Sequence, residues 1–129
     1  MASELKVDKF TGVTTAGSIL VTGEGNSTTT NLQQGLCKVF SRASSTQDSI
    51  LDSFNQSSST DVGTGQFTVT FTNALSNSNI IMVTAGHSSA DRNNTTRNIS
   101  ASSYDMQCFN QAGSTSDTQQ SSAAFGDLA

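Results

Sequence analysis

Apolar and polar residues alternate most clearly along residues 63–74. Within this stretch Phe67, Val69 and Phe71 alternate with threonines, so an extended strand places the apolar side chains on one face and the hydroxyls on the other. Glycines precede the run and Asn73 follows it, and both residue types favour turns. We therefore predict a strand here that anchors the hydrophobic core.

A second apolar run covers residues 79–85 and is continuous rather than alternating. Its length and β-branched residues are typical of a central strand buried on both faces. Because only a short turn separates it from the first strand, we predict that the two form a hairpin. Residues 86–98, which follow, are polar and predict a long loop that carries variable contacts.

Weaker patterns of the same kind recur along the rest of the chain. Further strands are predicted over residues 18–22, 36–42, 47–54, 97–103, 104–110 and 118–125, and a helical turn over residues 31–35. Short strands separated by frequent turns are typical of all-β proteins. The chain is therefore predicted to be a small antiparallel β-sandwich or barrel.

The N-terminal residues differ from this pattern. Leu5, Val7 and Phe10 are the only sizeable apolar groups before Val13, and charged residues lie between them, so the segment cannot form a core alone. We predict an extended N-terminal docking arm and linker over residues 1–31. The β domain then covers residues 32–129.

Composition raises the question of disorder, because hydrophobic residues make up only 33% of the chain. Serine and threonine together contribute about 40 residues, well above average usage. Disordered chains have few aromatic residues and a high net charge, whereas this chain has seven phenylalanines, one tyrosine and a net charge of -4. The composition therefore favours a folded β domain with hydroxyl-rich outer faces.

The charge pattern does not favour binding to nucleic acid or to an anionic membrane, because the few basic residues are scattered and the net charge is negative. No apolar run approaches the roughly 20 residues of a membrane span. The N-terminus has no signal-peptide pattern, which predicts folding inside the cell that makes the protein. Cys37 and Cys108 are then expected as free thiols, with a disulfide between them as the alternative.

Candidate catalytic and metal-binding residues are sparse. His87 is the only histidine and lies near Ser88, Ser89 and Asp91, but the segment lacks the Gly-x-Ser-x-Gly elbow of a hydrolase. One histidine and two distant cysteines give no metal-ligand spacing, and Gly23-Glu24-Gly25 lacks the third glycine of a dinucleotide loop. We therefore expect no enzymatic activity, no metal and no cofactor.

Residues 52–71, Asp-Ser-Phe-Asn-Gln-Ser-Ser-Ser-Thr-Asp-Val-Gly-Thr-Gly-Gln-Phe-Thr-Val-Thr-Phe, resemble a segment of tail-fibre-like virion proteins of marine tailed bacteriophages, of the cyanophage or pelagiphage type. The resemblance extends to Leu5-Lys6-Val7-Asp8-Lys9, to residues 22–26 and to residues 30–36. That family usually continues from Gly-Leu with Ala-Lys and then a tryptophan. This chain has Cys37, Lys38, Val39 and Phe40 there, and it contains no tryptophan.

The resemblance implies a non-enzymatic structural protein on the virion surface, made in the host cytoplasm. A long fibre needs a coiled-coil or repetitive shaft, which this sequence lacks, so we expect a capsid decoration protein, either a knob or a short head fibre. Leu5, Val7 and Phe10 would dock on the major capsid protein or on other virion proteins. A homo-oligomer is expected, with a trimer as one option, because shared apolar faces would enlarge a thin core.

The alternative is a tail fibre receptor-binding protein that contacts host surface glycans. Its contacts would come from polar loops over residues 86–98 and 111–117, which offer adaptable hydrogen-bonding groups. The candidate host-contact residues are His87, Asp91, Arg92 and Tyr104. Decoration of the capsid would aid host adsorption through the same residues.

Overall fold

The structure is a computed structural model that describes residues 4–12, 19–23, 28–47, 49–87 and 91–127. The chain divides into two compact units, Met1–Gly35 and Leu36–Ala129. The N-terminal unit thus ends after the helical turn, which follows a small hairpin of the same unit in sequence and contacts it.

The N-terminal unit contains that hairpin and one turn of helix. Its described elements are β1 (Leu20–Thr22), β2 (Thr29–Asn31) and α1 (Leu32–Gly35). The two strands pair antiparallel, and Asn31 Oδ1 caps the helix by accepting the backbone N–H groups of Gln33 at 2.8 Å and Gln34 at 3.2 Å. The predicted strand over residues 18–22 and the helical turn are confirmed, with Ser18 outside the described residues.

The C-terminal unit consists of strands. They are β3 (Val39–Ala43), β4 (Ile50–Phe54), β5 (Gln56–Gly63), β6 (Gln66–Phe71), β7 (Ile81–His87), β8 (Arg92–Arg97), β9 (Ser103–Asn110) and β10 (Gln119–Phe125). Within the described residues they form two four-stranded antiparallel sheets: sheet I, in the order β4-β3-β10-β7, and sheet II, in the order β5-β6-β9-β8. The two sheets pack face to face, which confirms the predicted all-β antiparallel sandwich.

The core lies between the sheets and is built unequally by them. Sheet II supplies large side chains, including Phe67 and Phe71 from the predicted anchor strand and Met106 from β9. Sheet I supplies small ones, such as Val39 and Ala124. The alternation of the anchor strand is therefore confirmed, and its threonines point away from the core, where they are half-buried.

Tyr104 of β9 joins the two sheets. Its side chain is fully buried, and its ring centroid lies 5.7 Å from that of Phe71. Its hydroxyl is 2.6 Å from the hydroxyl of Ser122 on β10, so a hydrogen bond crosses the core. Burial raises the pKa of Tyr104 to about 12, because the low-dielectric interior disfavours the tyrosinate.

The prediction for the second apolar run is wrong in two respects. β7 lies at the edge of sheet I, where it pairs with β10 and not with the anchor strand β6. Ile81 and Val83 are 71% and 59% exposed, so the strand is not buried on both faces. The physical reason is that β5 and β9 already occupy both edges of β6, which leaves that strand no edge for β7.

The predictions for residues 86–103 also need correction. Arg92–Arg97 is not loop but strand β8, which pairs with β9 at the edge of sheet II, where a polar sequence is tolerated. The predicted strand over residues 97–103 does not form. Asn98 instead adopts a positive φ of 47°, and Ser100 Oγ accepts the backbone N–H of Ser103 at 3.0 Å, which closes a turn before β9.

Candidate functional site

A polar depression lies where β8 begins and β9 ends. The register pairs Arg92 with Asn110 on one face of sheet II and Asn93 with Phe109 on the other, and all four residues line the depression at this end of the sheet. The turn at residues 111–113 follows β9 directly and borders the same depression. The depression is thus built by one strand pair and one turn.

Asn110 fixes the shape of that turn. Its side-chain oxygen accepts the backbone N–H of Ser114 at 3.0 Å, and its backbone carbonyl accepts the N–H of Gly113 at 3.0 Å. Gly113 adopts a φ of 78°, a conformation that glycine reaches without a steric cost. These contacts leave Gln111 and Ala112 exposed at the tip of the turn.

The depression has a volume of about 330 Å³ and is lined by Asp91, Arg92, Asn93, Phe109, Asn110, Gln111 and Gly113. A second depression of about 460 Å³ shares Asp91, Arg92, Asn110 and Gln111 with it and adds Ala112. The shared lining makes them one continuous open surface. We refer to it as the polar depression.

The described side chains of Asp91 and Arg92, the two charged groups of the polar depression, form no ion pair with each other. Arg92 Nη1 donates only a long hydrogen bond of 3.4 Å, to the backbone carbonyl of Asp91, and Arg92 Nε is buried with no described protein partner. The lining of the depression therefore combines a carboxylate, a guanidinium and several carboxamides with one partly buried aromatic residue, Phe109.

Asp91 and Arg92, which are consecutive in the sequence, both line the polar depression, whereas His87 lies elsewhere. His87 lies on the outer side of sheet I, where its Nε2 is 2.7 Å from Ser121 Oγ. Its own backbone carbonyl accepts the hydroxyl of Thr118 at 3.1 Å. His87 therefore does not line the polar depression.

The contact between His87 and Ser121 has the residue types of a hydrolase but not the surroundings. Ser121 lies in β10, which pairs on both sides with β3 and β7, so its backbone N–H groups serve the sheet and not an oxyanion. No described carboxylate hydrogen-bonds to His87. Ser88 and Ser89 lie outside the described residues. The geometry thus gives no support to a hydrolytic triad.

Tyr104 cannot contact a host molecule, because its side chain is buried in the core. Its position on β9 points inward with Met106 and Cys108, and its side chain has no exposed area. The assignment of Tyr104 to a host-contacting surface is therefore wrong. A large aromatic side chain at an inward position of a central strand fills the core and is not accessible to a ligand on the surface.

Sequence reasoning named the polar loops but missed most of the residues that line the depression. Asn93, Phe109 and Asn110 reach it only because β8 pairs with β9, which the pattern of residues 86–98 did not predict. The available signal was the turn at residues 111–114, whose position after a strand was predicted. Its glycine and amide residues marked this end of β9.

A further cavity of about 620 Å³ lies at one end of the sandwich and is lined by Leu36, Cys37, Lys38, Phe54, Asn55, Thr72, Asn73 and Ala74. Lys38 is 3% exposed, and its Nζ donates to the carbonyl of Leu36 at 3.1 Å. Burial lowers the pKa of Lys38, while the nearby Asp127 opposes this shift. Cys37 and Cys108 are both free thiols, and no cluster of three metal-ligating side chains occurs among the described residues.

The candidate docking residues of the arm are exposed. Leu5, Val7 and Phe10 have 74%, 47% and 62% of their surface accessible, and the segment that carries them forms neither helix nor strand. Lys6 and Glu4 form an exposed ion pair at 3.4 Å. The arm therefore presents apolar side chains alternating with charged ones.

Comparison with known proteins found no matching family model, no matching curated protein and no matching solved structure. In the described part of the chain, no helix has the length and apolar character that crossing a membrane requires.

Proposed function

We propose that this chain is a non-enzymatic structural protein of a tailed-phage particle, displayed on the virion surface as a capsid decoration protein. In this proposal it docks through its N-terminal arm on the major capsid protein or on other virion proteins. The observation that carries the proposal is the exposure of Leu5, Val7 and Phe10 in an N-terminal unit separate from the sandwich. The sandwich then remains available to face outward.

The energetics of such docking are favourable. Burying a large apolar side chain contributes roughly 1.5 to 3 kcal/mol, so three anchors supply a gross gain of about 5 to 9 kcal/mol. Association costs several kcal/mol for lost freedom of motion, which leaves a net affinity that is modest for one arm. Apolar anchors ringed by charged residues such as Glu4 and Lys6 also match the anatomy of interfaces, with an apolar centre and a polar rim.

The assignment to a phage particle is supported by the resemblance of residues 52–71 to marine phage virion proteins. In the fold these residues form the end of β4, all of β5 and β6, and the turn between the two last strands. They therefore cover the corner where the chain passes from sheet I to sheet II. The resemblance thus concerns a structural unit of the sandwich and not a catalytic motif.

Binding to capsids tests the proposal. Purified wild-type chain is incubated with heads of the encoding phage that lack it, and bound protein is measured after sedimentation of the heads. We expect the triple variant Leu5→Ser, Val7→Ser and Phe10→Ser to lose binding. A matched control is Val62→Ser, which changes a valine 60% exposed on β5. Equal binding of the triple variant and the wild type would refute arm docking.

A second candidate function, binding of a host surface glycan as in a tail fibre receptor-binding protein, is favoured by the polar depression. Sugars present vicinal hydroxyls, which carboxylates and carboxamides bind in pairs, and apolar ring faces, which pack on aromatic side chains. Asp91, Gln111 and Phe109 supply these three kinds of group around one open surface. An open site of this kind predicts weak binding that gains strength from many copies.

Adhesion to host cells tests this second candidate. Asp91→Ala and Gln111→Ala remove exposed polar groups of the depression, so each should lower adhesion without affecting the fold. Thr60→Ala, an exposed hydroxyl on β5, is the control and should adhere like the wild type. If all three variants adhere equally, the polar depression is not the glycan site.

A further inference from the structure

The interior of the sandwich differs in polarity between its two ends. At one end Val39 of β3 and Ala124 of β10 are register partners in the hydrophobic core. At the other end the inward position of β10 is occupied by Gln120, which lies between Ala43 of β3 and Gly86 of β7. Gln120 has no exposed area, so a carboxamide takes the place of an apolar side chain there.

Two further carboxamides lie at the same end. Gln47, in the segment that follows β3, also has no exposed area, and its Nε2 is 3.5 Å from the backbone carbonyl oxygen of Thr118, two residues before Gln120. Asn94 of β8 reaches this end from sheet II, because a Cβ added to Gly86 would lie 3.3 Å from its Nδ2 and 3.5 Å from its Oδ1. We call Gln47, Asn94 and Gln120 the interior carboxamides.

Gly86 makes this close approach of the two sheets possible. A Cβ at this position would lie only 3.2 Å from the Cβ of Arg92, so a side chain would force the strands apart. The carboxamide of Asn94 therefore packs against the backbone of β7, next to the register partner Gln120. Since neighbouring register positions lie about 5 Å apart, the side chains of Asn94 and Gln120 border one shared space between the sheets.

The polar atoms of the interior carboxamides are buried without protein partners. Both polar atoms of Asn94 and of Gln120, and the side-chain oxygen of Gln47, form no hydrogen bond with any described group. Arg92 Nε, on the same inward side of β8 as Asn94, is buried in the same way. Buried polar atoms in folded proteins are nearly always satisfied, because an unsatisfied one costs its lost hydration free energy. A bound species must therefore supply these hydrogen bonds.

The chemistry of the groups identifies that species. Each carboxamide presents an acceptor oxygen and a donor nitrogen, so the bound species must both donate and accept hydrogen bonds. An anion would satisfy the nitrogens alone, and a metal ion the oxygens alone. Nor do the described residues contain a cluster of three side chains of the types that commonly bind a metal. Water donates and accepts, and it is small enough to lie between packed sheets.

Water molecules are also available in sufficient number. Folded proteins bury roughly one water per 27 residues, typically with three hydrogen bonds to protein groups, so a chain of 129 residues should hold about five. That number is enough to satisfy all the unpartnered atoms of the interior carboxamides and of Arg92.

We propose that the interior carboxamides are a binding site for a cluster of ordered water molecules, centred on Gln120. These waters bridge Gln120 of sheet I to Asn94 of sheet II, and Gln120 to Gln47. Hydrogen bonds through water thus join the two sheets at this end, in addition to the direct bond between Tyr104 and Ser122. The inference concerns the interior of the sandwich and does not rest on the proposed virion function.

Nuclear magnetic resonance of the isotope-labelled full chain tests the site. The measurement is the nuclear Overhauser effect between water and the side-chain NH2 groups, which are assigned through their connections to the backbone. Waters that stay bound for longer than the protein takes to tumble give effects of the same sign as those between protein protons. We expect such effects at the NH2 groups of Asn94 and Gln120. The NH2 group of the exposed Asn93 is the internal control and should show none.

Removal of the carboxamides tests their role in holding the water. Gln120→Met and Asn94→Leu keep the approximate size of each side chain and remove its polar atoms. Each should reduce the number of long-lived waters, counted by magnetic relaxation dispersion of the solvent, and should lower the urea midpoint, because the remaining waters lose partners. The same changes at neighbouring outward positions, Gln119→Met and Asn93→Leu, are matched controls and should leave the number of long-lived waters unchanged.

Three results would overturn the inference. The first is a wild type in which neither NH2 group contacts a long-lived water, which includes the case of a direct hydrogen bond between Asn94 and Gln120. The second is a Gln120→Met variant with a raised urea midpoint, since removal of an unsatisfied polar group stabilises a protein. The third is an unchanged number of long-lived waters in both interior variants. The first result comes from the wild type alone and therefore does not depend on the folding of a variant.

Discussion

Tyr104 allows one prediction to be tested with unusual directness, because it is the only tyrosine in a chain without tryptophan. The near-ultraviolet absorbance of tyrosinate therefore reports on this side chain alone. In the fold the hydroxyl is buried against Ser122, and burial raises its pKa from 10.0 to about 12. Titration of the folded chain should show tyrosinate only near pH 12, whereas the chain unfolded in urea should titrate near pH 10.

The same shift makes stability depend on alkaline pH. Since the folded state holds the proton more tightly than the unfolded state, the stabilisation is fully present below pH 10 and is lost as the pH rises from 10 to 12. Two pKa units correspond to about 3 kcal/mol, which is a substantial part of a typical free energy of unfolding. Burial also raises the pKa of Cys108, so this thiol adds to the loss at high pH.

Denaturation at several pH values measures this loss. Tyr104→Phe removes the titrating group, so its stability should fall less steeply between pH 10 and 12 than that of the wild type. At pH 7 the variant should be less stable by about 1 kcal/mol, because Ser122 loses its partner. Tyrosinate that appears near pH 10 while circular dichroism shows intact sheets would refute the burial of Tyr104 and the packing built on it.

Two backbone predictions follow from turns that hold the sandwich together. Gly65→Ala should destabilise the fold by about 3 kcal/mol or more, since its φ is 70° and a Cβ would lie 2.7 Å from the carbonyl oxygen of Cys108. Gly113→Ala, at φ 78° but with nothing within 4 Å, should cost only about 1 kcal/mol, and equal denaturation midpoints for the two variants would contradict the packing around Gly65. Asn55→Ala should cost about 2 to 3 kcal/mol, because the side chain bonds Asn73 at 2.8 and 3.0 Å and the residue has a φ of 56°. Asn55→Gly should recover about 1 kcal/mol of that loss, because glycine adopts a positive φ without a steric cost. Wild-type stability in both variants would show that the contacts of Asn55 do not stabilise the fold.

Strands with one face in the core were predictable from sequence. Phe67, Val69 and Phe71 alternate with threonines, and Tyr104, Met106 and Cys108 alternate with Asp105 and Gln107, so β6 and β9 were recognised at nearly their observed bounds. Each of these strands lies inside its sheet. The alternation shows which side chains of a strand face the core and which face outward. It can be recognised within the strand itself, without knowing which strand pairs with it.

Pairing was less predictable, because the apolar pattern of a strand does not identify its neighbour. The run over residues 79–85 resembles a strand buried on both faces, yet Ile81 and Val83 are exposed. A continuous apolar run does not by itself show whether a strand lies inside a sheet or at its edge, as β7 does.

The polar edge strands of sheet II were not predicted, because their sequences contain few apolar residues. β5 and β8 consist largely of serine, threonine and asparagine, and they carry little of the apolar periodicity by which strands are recognised. Their pairing with β6 and β9 supplies the hydrogen bonds that specify them. Since β8 brings Asn93 to the polar depression, the candidate site could not be assembled from sequence alone.

Immunogold electron microscopy of intact particles of the encoding phage tests the central claim most directly. An antibody raised against the folded chain avoids any assumption about which loop is accessible. Capsid decoration predicts gold distributed over the head and absent from particles whose chain carries the triple arm substitution at Leu5, Val7 and Phe10. Gold confined to the tail, or no gold on intact particles, would contradict the account.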